Sequence, residues 1–171
     1  MLSFIAALIS GAAAVTGGSD ASNLPGVFEA TCLDGQARLS AGSVTPVQFD
    51  ALPEALRAQL GHPAEAKVWQ LSASGHSYLY ILDYPQGPGV SPKICGLASD
   101  TMDLRAGADA LEARVAGGVT RGKPRSAQWL NARDGYVATA TTADKLNVLQ
   151  ISWMSDSDRA SAEERVEALP H

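Results

Sequence analysis

Two stretches, Lys67-Val68-Trp69-Gln70-Leu71 and Ser77-Tyr78-Leu79-Tyr80-Ile81-Leu82, contain the strongest structural signal in the sequence. Both are rich in β-branched and aromatic residues, which favour strands. Between them lies Ser72-Ala73-Ser74-Gly75-His76, whose glycine and small polar residues are typical of a connecting turn. The two stretches therefore predict an antiparallel hairpin, and with it a sheet.

More strand-like segments follow this hairpin. Residues 83–92 contain three prolines and two glycines, which predicts an irregular loop. Beyond the loop, segments rich in Val, Ile, Thr and aromatic residues predict strands at residues 93–97, 126–130, 136–141 and 146–154. We interpret residues 121–125 as a turn. In the last strand Leu149, Ile151 and Trp153 alternate onto one face, which we expect to be the core face.

Helical periodicity surrounds the strands. Spacings of three and four residues relate Leu24, Val27, Phe28, Thr31 and Cys32, which predicts a short amphipathic helix. Similar patterns with end signals predict helices at residues 53–60, 103–115 and 155–169.

The order of these elements predicts the fold class. Blocks of strands separated by single helices favour an antiparallel sheet over a series of β-α-β units. We therefore expect an α+β fold in which helices pack on an antiparallel sheet of about five to six strands. Residues 27–171 are interpreted as a single domain, because a chain of 171 residues matches one hydrophobic core.

The N-terminal residues have the features of a secretion signal. Residues 1–14 carry no charged side chain and place a short apolar run before Ala12-Ala13-Ala14, a small-residue cleavage pattern. No Lys or Arg precedes the apolar run, so an uncleaved anchor or a buried helix stays open as an alternative. Residues 15–26 are interpreted as a flexible linker. We expect a periplasmic or secreted protein with no membrane span after the signal is removed.

The cysteine count supports the same compartment. The chain has two cysteines, Cys32 and Cys95, and an even number in an exported protein most simply forms a disulfide. A reactive thiol or a metal site is the competing interpretation, but structural zinc requires four ligands. We therefore expect a disulfide, no metal site and no cofactor.

Charge excludes one class of partner. The formal net charge is −5, and the 13 basic residues are scattered along the chain. Nucleic-acid binding requires clustered Lys and Arg, so no nucleic-acid partner is expected.

No catalytic motif is evident in the sequence. The three histidines, His62, His76 and His171, are not accompanied by a G-x-S-x-G element. Paired carboxylates remain open for hydrolysis of envelope polymers, with Asp83, Asp100, Asp103 and Asp134 as candidates. Asp103 is better explained as a helix N-cap, and Asp134 before Gly135 as part of a turn.

Aromatic residues beside the proline-rich loop give the best candidate binding surface. Tyr78, Tyr80, Asp83 and Tyr84 cluster in sequence where a strong strand meets that loop. Exposed aromatics near a loop suit contact with a partner. The alternative is that Tyr78 and Tyr80 only occupy the outer face of a strand whose Leu79 points inward.

Several segments resemble small exported alphaproteobacterial proteins of unassigned function. The resemblance lies in the helix with Phe28 and Cys32, the strand with Val68-Trp69 and the strand Lys93-Ile94-Cys95. It implies export and a disulfide, and it gives no indication of any particular activity. Because no catalytic motif is evident and aromatic residues lie beside the proline-rich loop, we expect a non-enzymatic exported protein that binds an unknown protein or envelope component. A hydrolase of envelope polymers and an immunity or inhibitor-type protein are the alternatives.

Overall fold

The computed structural model describes residues 23–35, 44–71, 76–85, 87, 90–115, 119–123, 126–131 and 133–167. Within this part of the chain the strands form one antiparallel sheet of eight, covered by helices. The strands are β1 (Val44–Val47), β2 (Glu65–Leu71), β3 (Ser77–Asp83), β4 (Lys93–Ser99), β5 (Val119–Lys123), β6 (Ser126–Asn131), β7 (Tyr136–Ala143) and β8 (Leu146–Trp153). The helices are α1 (Leu24–Phe28), α2 (Glu54–Leu60), α3 (Leu104–Arg114) and α4 (Asp156–Glu167).

The α+β fold class is confirmed, and the antiparallel sheet has eight strands where about five to six were expected. The two extra strands are β1 and β5, which form the two edges of the sheet. β1 is only four residues long and contains Pro46, which is tolerated at an edge because an edge strand has one unpaired side. β5 has the sequence Val-Thr-Arg-Gly-Lys, which we interpreted as a turn from residue 121 onward. Pairing with β6 keeps it extended.

The strand order is β1-β2-β3-β4-β8-β7-β6-β5. Strands β1 to β4 therefore form one four-stranded meander and strands β5 to β8 form a second, each built from neighbouring antiparallel strands. The two meanders join through their last strands, β4 and β8. The predicted hairpin of β2 and β3 lies within the first meander and is confirmed.

One face of the sheet, which we call the disulfide face, carries Cys95. It is covered by α1, by the π-helical turn Glu29–Leu33 that continues α1, and by α3. The close approach of α3 depends on Gly107, since a Cβ there would lie 3.0 Å from the Leu149 methyl carbons. The buried residues of this face include Phe28, Leu79, Leu97, Leu111, Trp129, Leu149 and Ile151.

The opposite face, which we call the tyrosine face, carries Tyr80. It is covered over the centre of the sheet by a 3-10 turn (Phe49–Ala51) and by α2. Its buried residues include Leu52, Leu56, Leu60, Val68, Tyr80, Leu82 and Val148. In β8 we predicted a single core face containing Leu149 and Ile151. That face is buried, but Leu146 and Val148 are buried as well, because the helices cover both sides.

The predicted signal and most of the predicted linker, residues 1–22, lie outside the described residues. Among the helices that the structure describes, none has the length and hydrophobicity that crossing a bilayer requires.

Candidate functional site

The predicted disulfide is present between Cys32 and Cys95, whose Cα atoms lie 5.5 Å apart. Cys32 belongs to the π-helical turn and Cys95 to β4, and both are buried. The bond therefore fixes the π-helical turn against the middle of the sheet. Turns of this kind are rare and occur frequently at functional sites.

Two of the four residues in the predicted binding surface, Tyr78 and Tyr80, are buried, so the prediction is wrong for them. Tyr80 is fully buried and Tyr78 is 7 % exposed, because the 3-10 turn and α2 cover the face on which both side chains lie. Leu79, on the opposite face, is also fully buried. Neither tyrosine is therefore available on this strand for contact with a partner.

Polar partners explain why Tyr80 and Tyr84 are tolerated in partly apolar surroundings. The Tyr80 hydroxyl donates to Gln150 Oε1 at 3.1 Å, and Gln150 Nε2 donates to Ser152 Oγ at 3.0 Å. The Tyr84 hydroxyl donates to the Leu60 carbonyl at 2.6 Å. Burial raises the pKa of Tyr84 to about 12, and it raises the pKa of Tyr80 further. Both hydroxyls are structural donors.

Asp83, the remaining residue of the predicted surface, is half-buried at the end of β3. It lies opposite Lys93 on β4 and Glu65 on β2. The four residues thus form no common exposed patch.

A concave site lies elsewhere, on the disulfide face, and we call it the disulfide pocket. It is a cavity of about 310 Å³ bounded by the π-helical turn, the end of α3 and the adjoining ends of β7 and β8. Tyr136 and Trp153 stand directly opposite each other in the pairing of β7 with β8 and line the pocket together. Cys32 and Ile151 also line it, so the disulfide lies at its boundary.

An ion pair forms one side of the pocket. Arg114, the last residue of α3, places Nη2 2.6 Å from Asp34 Oδ1, and its Nε lies 3.9 Å from Glu29 Oε2. Asp34 directly follows the π-helical turn, and Glu29 begins it. The disulfide and this ion pair therefore hold the same short segment from two directions.

The turn between β6 and β7 forms another side. Asn131 Nδ2 donates to Asp134 Oδ2 at 2.9 Å and to the Tyr136 hydroxyl at 3.2 Å, and the Asp134 amide donates back to Asn131 Oδ1 at 2.9 Å. Gly135 has a φ of 72°, a left-handed conformation that favours glycine. This confirms the predicted turn and places Asp134 on the pocket.

Trp153 has a further contact through its ring. The Lys93 ammonium lies 5.7 Å from the centre of the indole ring, a cation–π distance. The ring is half-buried, so part of its surface is accessible to a ligand.

A second cavity, of about 320 Å³, lies beside the proline-rich loop. Its described boundary includes Val90, Pro92, Met154 and Ser155, with Asp156 at the start of α4. Residues 86, 88 and 89 of the same loop lie outside the described residues. We favour the disulfide pocket because its aromatic and charged side chains are held by defined contacts.

The other predicted carboxylates have structural partners. Asp103 accepts hydrogen bonds from the amides of Arg105 and Ala106, which confirms it as the N-cap of α3. Asp100 accepts from the His76 amide at 2.9 Å, and its second oxygen lies 3.2 Å from His76 Nδ1. Among the described residues, no three His, Cys, Asp or Glu side chains are grouped as a metal site.

Sequence reasoning missed most of the disulfide pocket. It identified Cys32 and Asp134, but not Asp34, Arg114, Tyr136 or Trp153 as members of one site. Asp34 could have been placed near Cys95 through the disulfide. The pairing of β4 with β8, which brings Trp153 to the same place, has no local signal in the sequence.

Comparisons with protein-family models, with curated proteins and with solved structures find no match to this chain.

Proposed function

We propose that this chain is an exported, non-enzymatic binding protein that holds a protein or an envelope component in the disulfide pocket. The observation that carries the proposal is the pocket itself, in which Tyr136 and Trp153 lie beside Arg114, Asp34 and Asp134. Tyr, Trp and Arg are the residues that most often dominate binding energy, and small-molecule sites combine aromatic walls with a few fixed polar groups.

The rigidity of the pocket supports binding. The disulfide holds the π-helical turn, Asn131 holds Asp134, and Lys93 contacts Trp153. Side chains that are already ordered lose little conformational entropy when a ligand arrives, so more of the contact energy contributes to affinity.

Export is part of the proposal. It is supported by the uncharged apolar residues 1–14 with their small-residue cleavage pattern and by the disulfide, since disulfides persist in oxidising compartments. A fusion of residues 1–22 to a reporter that is active only in the periplasm tests this point. Reporter activity that stays in the cytosolic fraction would contradict export.

Capture from an envelope extract tests the binding function. The full chain is immobilised and compared with Trp153→Ala, which removes the larger aromatic wall, and with Gln128→Ala as a matched control on the exposed part of β6. We expect components that the unmodified chain and Gln128→Ala retain but Trp153→Ala does not. Equal capture by all three proteins would contradict a function for this pocket.

One observation favours hydrolysis of envelope polymers as a second candidate. Asp34 and Asp134 line the same pocket, and a pair of carboxylates is the usual catalytic apparatus for glycosidic bonds. Asp83, another of the carboxylates considered for this chemistry, does not line the pocket. Release of soluble fragments from peptidoglycan by the unmodified chain, and its loss in Asp134→Asn, would replace the binding proposal with this one.

A further inference from the structure

We infer that the disulfide pocket binds a neutral sugar ring, as one unit of a glycan. This inference rests on the proposed function, because it names the ligand class of the same site. Three properties of the pocket carry it: an aromatic wall, hydrogen-bonding groups beside that wall, and a size that matches one ring.

The aromatic wall provides an apolar surface for a ring. Tyr136 and Trp153 are direct partners across β7 and β8, and side chains at such positions lie close together. One face of a sugar ring presents mainly C–H groups, which pack on aromatic side chains and are withdrawn from water there.

Polar groups also line the pocket beside the aromatic wall. Asn131 bonds only one of the two carboxylate oxygens of Asp134. The Tyr136 hydroxyl accepts from Asn131, and it donates to no acceptor among the described residues. One acceptor and one donor on the same turn match a hydroxyl group, which both donates and accepts.

The charges of the pocket disfavour an anionic ligand. Arg114 is already paired with Asp34 and lies near Glu29, and Asp134 adds a second carboxylate to the lining. An anionic ligand would have to compete with Asp34 for the guanidinium and would also meet the Asp134 carboxylate. A polyhydroxylated ring can form hydrogen bonds to these groups without separating the pair of Arg114 and Asp34.

The size of the pocket fits a single ring. Its volume of about 310 Å³ is at the lower end of the range of about 300–1,000 Å³ for small-molecule sites. A folded domain or a helix would not enter a cavity of this size, whereas one residue of a longer glycan would.

Saturation-transfer NMR on the full chain tests the inference. The probes are N-acetylglucosamine, N,N′-diacetylchitobiose and cellobiose, with trilysine and triglutamate as cationic and anionic competitors. We expect the ring C–H protons of at least one sugar to receive the strongest saturation. Titration should show affinity reduced by about tenfold or more in Trp153→Ala.

Milder variants keep the test valid if Trp153→Ala does not fold. Tyr136→Phe retains the aromatic wall but removes the hydroxyl, and Asp134→Asn retains the shape but removes the charge. Both should weaken sugar binding, while Gln128→Ala should leave it unchanged. Equal sugar binding by all four variants would overturn the inference.

The outcomes separate failure of the inference from failure of the proposed function. Binding of trilysine or triglutamate in the pocket, without sugar binding, overturns the sugar inference and leaves the pocket as a binding site. No binding of any probe also overturns it, and capture of an envelope component that depends on Trp153 then decides whether the proposed function survives. If that capture is absent too, both are overturned.

Discussion

Tyr80 shows how a single residue is held inside the sheet. It lies on β3 directly opposite Gly96 on β4, and its ring covers that glycine. Its hydroxyl then reaches Gln150 on β8, the strand beyond. Because Gly96 has no side chain, the Tyr80 ring can lie across β4. Its hydroxyl can then form a hydrogen bond with Gln150 on β8, two strands from β3.

Gly96→Ala tests this arrangement. A Cβ at this position would lie 2.6 Å from Tyr80 Cε2, so we expect a loss of about 1–3 kcal/mol in the free energy of unfolding, the usual cost of overpacking. Urea unfolding measures the loss. In a Tyr80→Leu background the same substitution should cost less, because the clashing ring is absent. An equal cost in both backgrounds would show that the backbone freedom of the glycine, not the ring, matters.

The pair of His76 and Asp100 gives a pH dependence. The hydrogen bond with the His76 ring is the main reason why the pKa of Asp100 lies below its usual value. The folded state therefore holds a proton at Asp100 less tightly than the unfolded state does. The stabilisation is present above the unfolded pKa, about 3.9 for Asp, and is lost as the pH falls through the lower, folded value.

We expect Asp100→Asn to reduce the difference in unfolding free energy between pH 6 and pH 3. Asparagine keeps an oxygen for the His76 amide but has no proton equilibrium in this range. Urea titrations at both pH values measure the effect. Asp109→Asn, an exposed position on α3, serves as the control. A steeper loss of stability in Asp100→Asn than in the unmodified chain would contradict the assignment.

At the scale of elements, the π-helical turn connects stability with the candidate site. It carries Cys32, continues directly into Asp34, and contacts β8. Without the disulfide, the turn would be held mainly by apolar packing and by the ion pair that joins Asp34 to Arg114 at the end of α3. That ion pair is half-exposed, and exposed ion pairs contribute little to stability.

Removing the disulfide should therefore weaken both folding and binding. We expect the double variant Cys32→Ala/Cys95→Ala to lose about 2–5 kcal/mol of unfolding free energy, in line with the 63-residue separation of the two cysteines. Ligand affinity should fall with it, because Asp34 loses its fixed position. Chemical denaturation and ligand titration measure the two effects. Unchanged stability after complete reduction of the unmodified chain would contradict this role.

Local sequence patterns predicted most helices and strands. Two strands were not predicted, and their position in the sheet explains why. The β2–β3 hairpin, α2, α3 and the last two strands all have clear periodicity or end signals. β1 and β5 were missed because an edge strand buries little surface, so proline, glycine and charged residues occur there without an alternating pattern. The sequence did not predict that helices cover both faces of the sheet. A tyrosine such as Tyr80 has a polar hydroxyl and is compatible with either an exposed or a buried face.

The candidate site was less predictable than the elements. Its residues come from α3, from the π-helical turn and from the ends of β7 and β8. The disulfide joins the π-helical turn to β4, and the pairing of β4 with β8 then brings that turn beside the ends of β7 and β8. Pairing between distant strands depends on the packing of the whole sheet, so no short window of sequence contains it.

At the scale of the whole molecule, two buried clusters share one sheet. All three tryptophans, Trp69, Trp129 and Trp153, pack on the disulfide face, whereas three of the four tyrosines pack on the other face. The same strands contribute side chains to both clusters. The two clusters should therefore unfold together, although helices from different parts of the chain cover them.

Leu56→Ala tests this coupling. Leu56, on α2, is 1 % exposed on the tyrosine face, and its truncation should cost about 2–5 kcal/mol. Because the sheet is shared, tryptophan fluorescence, which reports on the opposite face, should shift to the same urea midpoint as far-UV circular dichroism. Separate midpoints for the two signals would mean that α2 and its cluster unfold independently.

The junction of the two meanders has a consequence for biosynthesis. The ribosome makes the chain from the N-terminus at about 5–20 residues per second. The edge of β4 that pairs with β8 is therefore synthesised some seconds before its partner, residues 147–152 of β8. During that interval an apolar strand has no neighbour on one side, which is a hazard for intermolecular pairing. Messages truncated before β8 would release this unpaired strand permanently. A chain kept unfolded by a chaperone until translation ends would avoid the exposure.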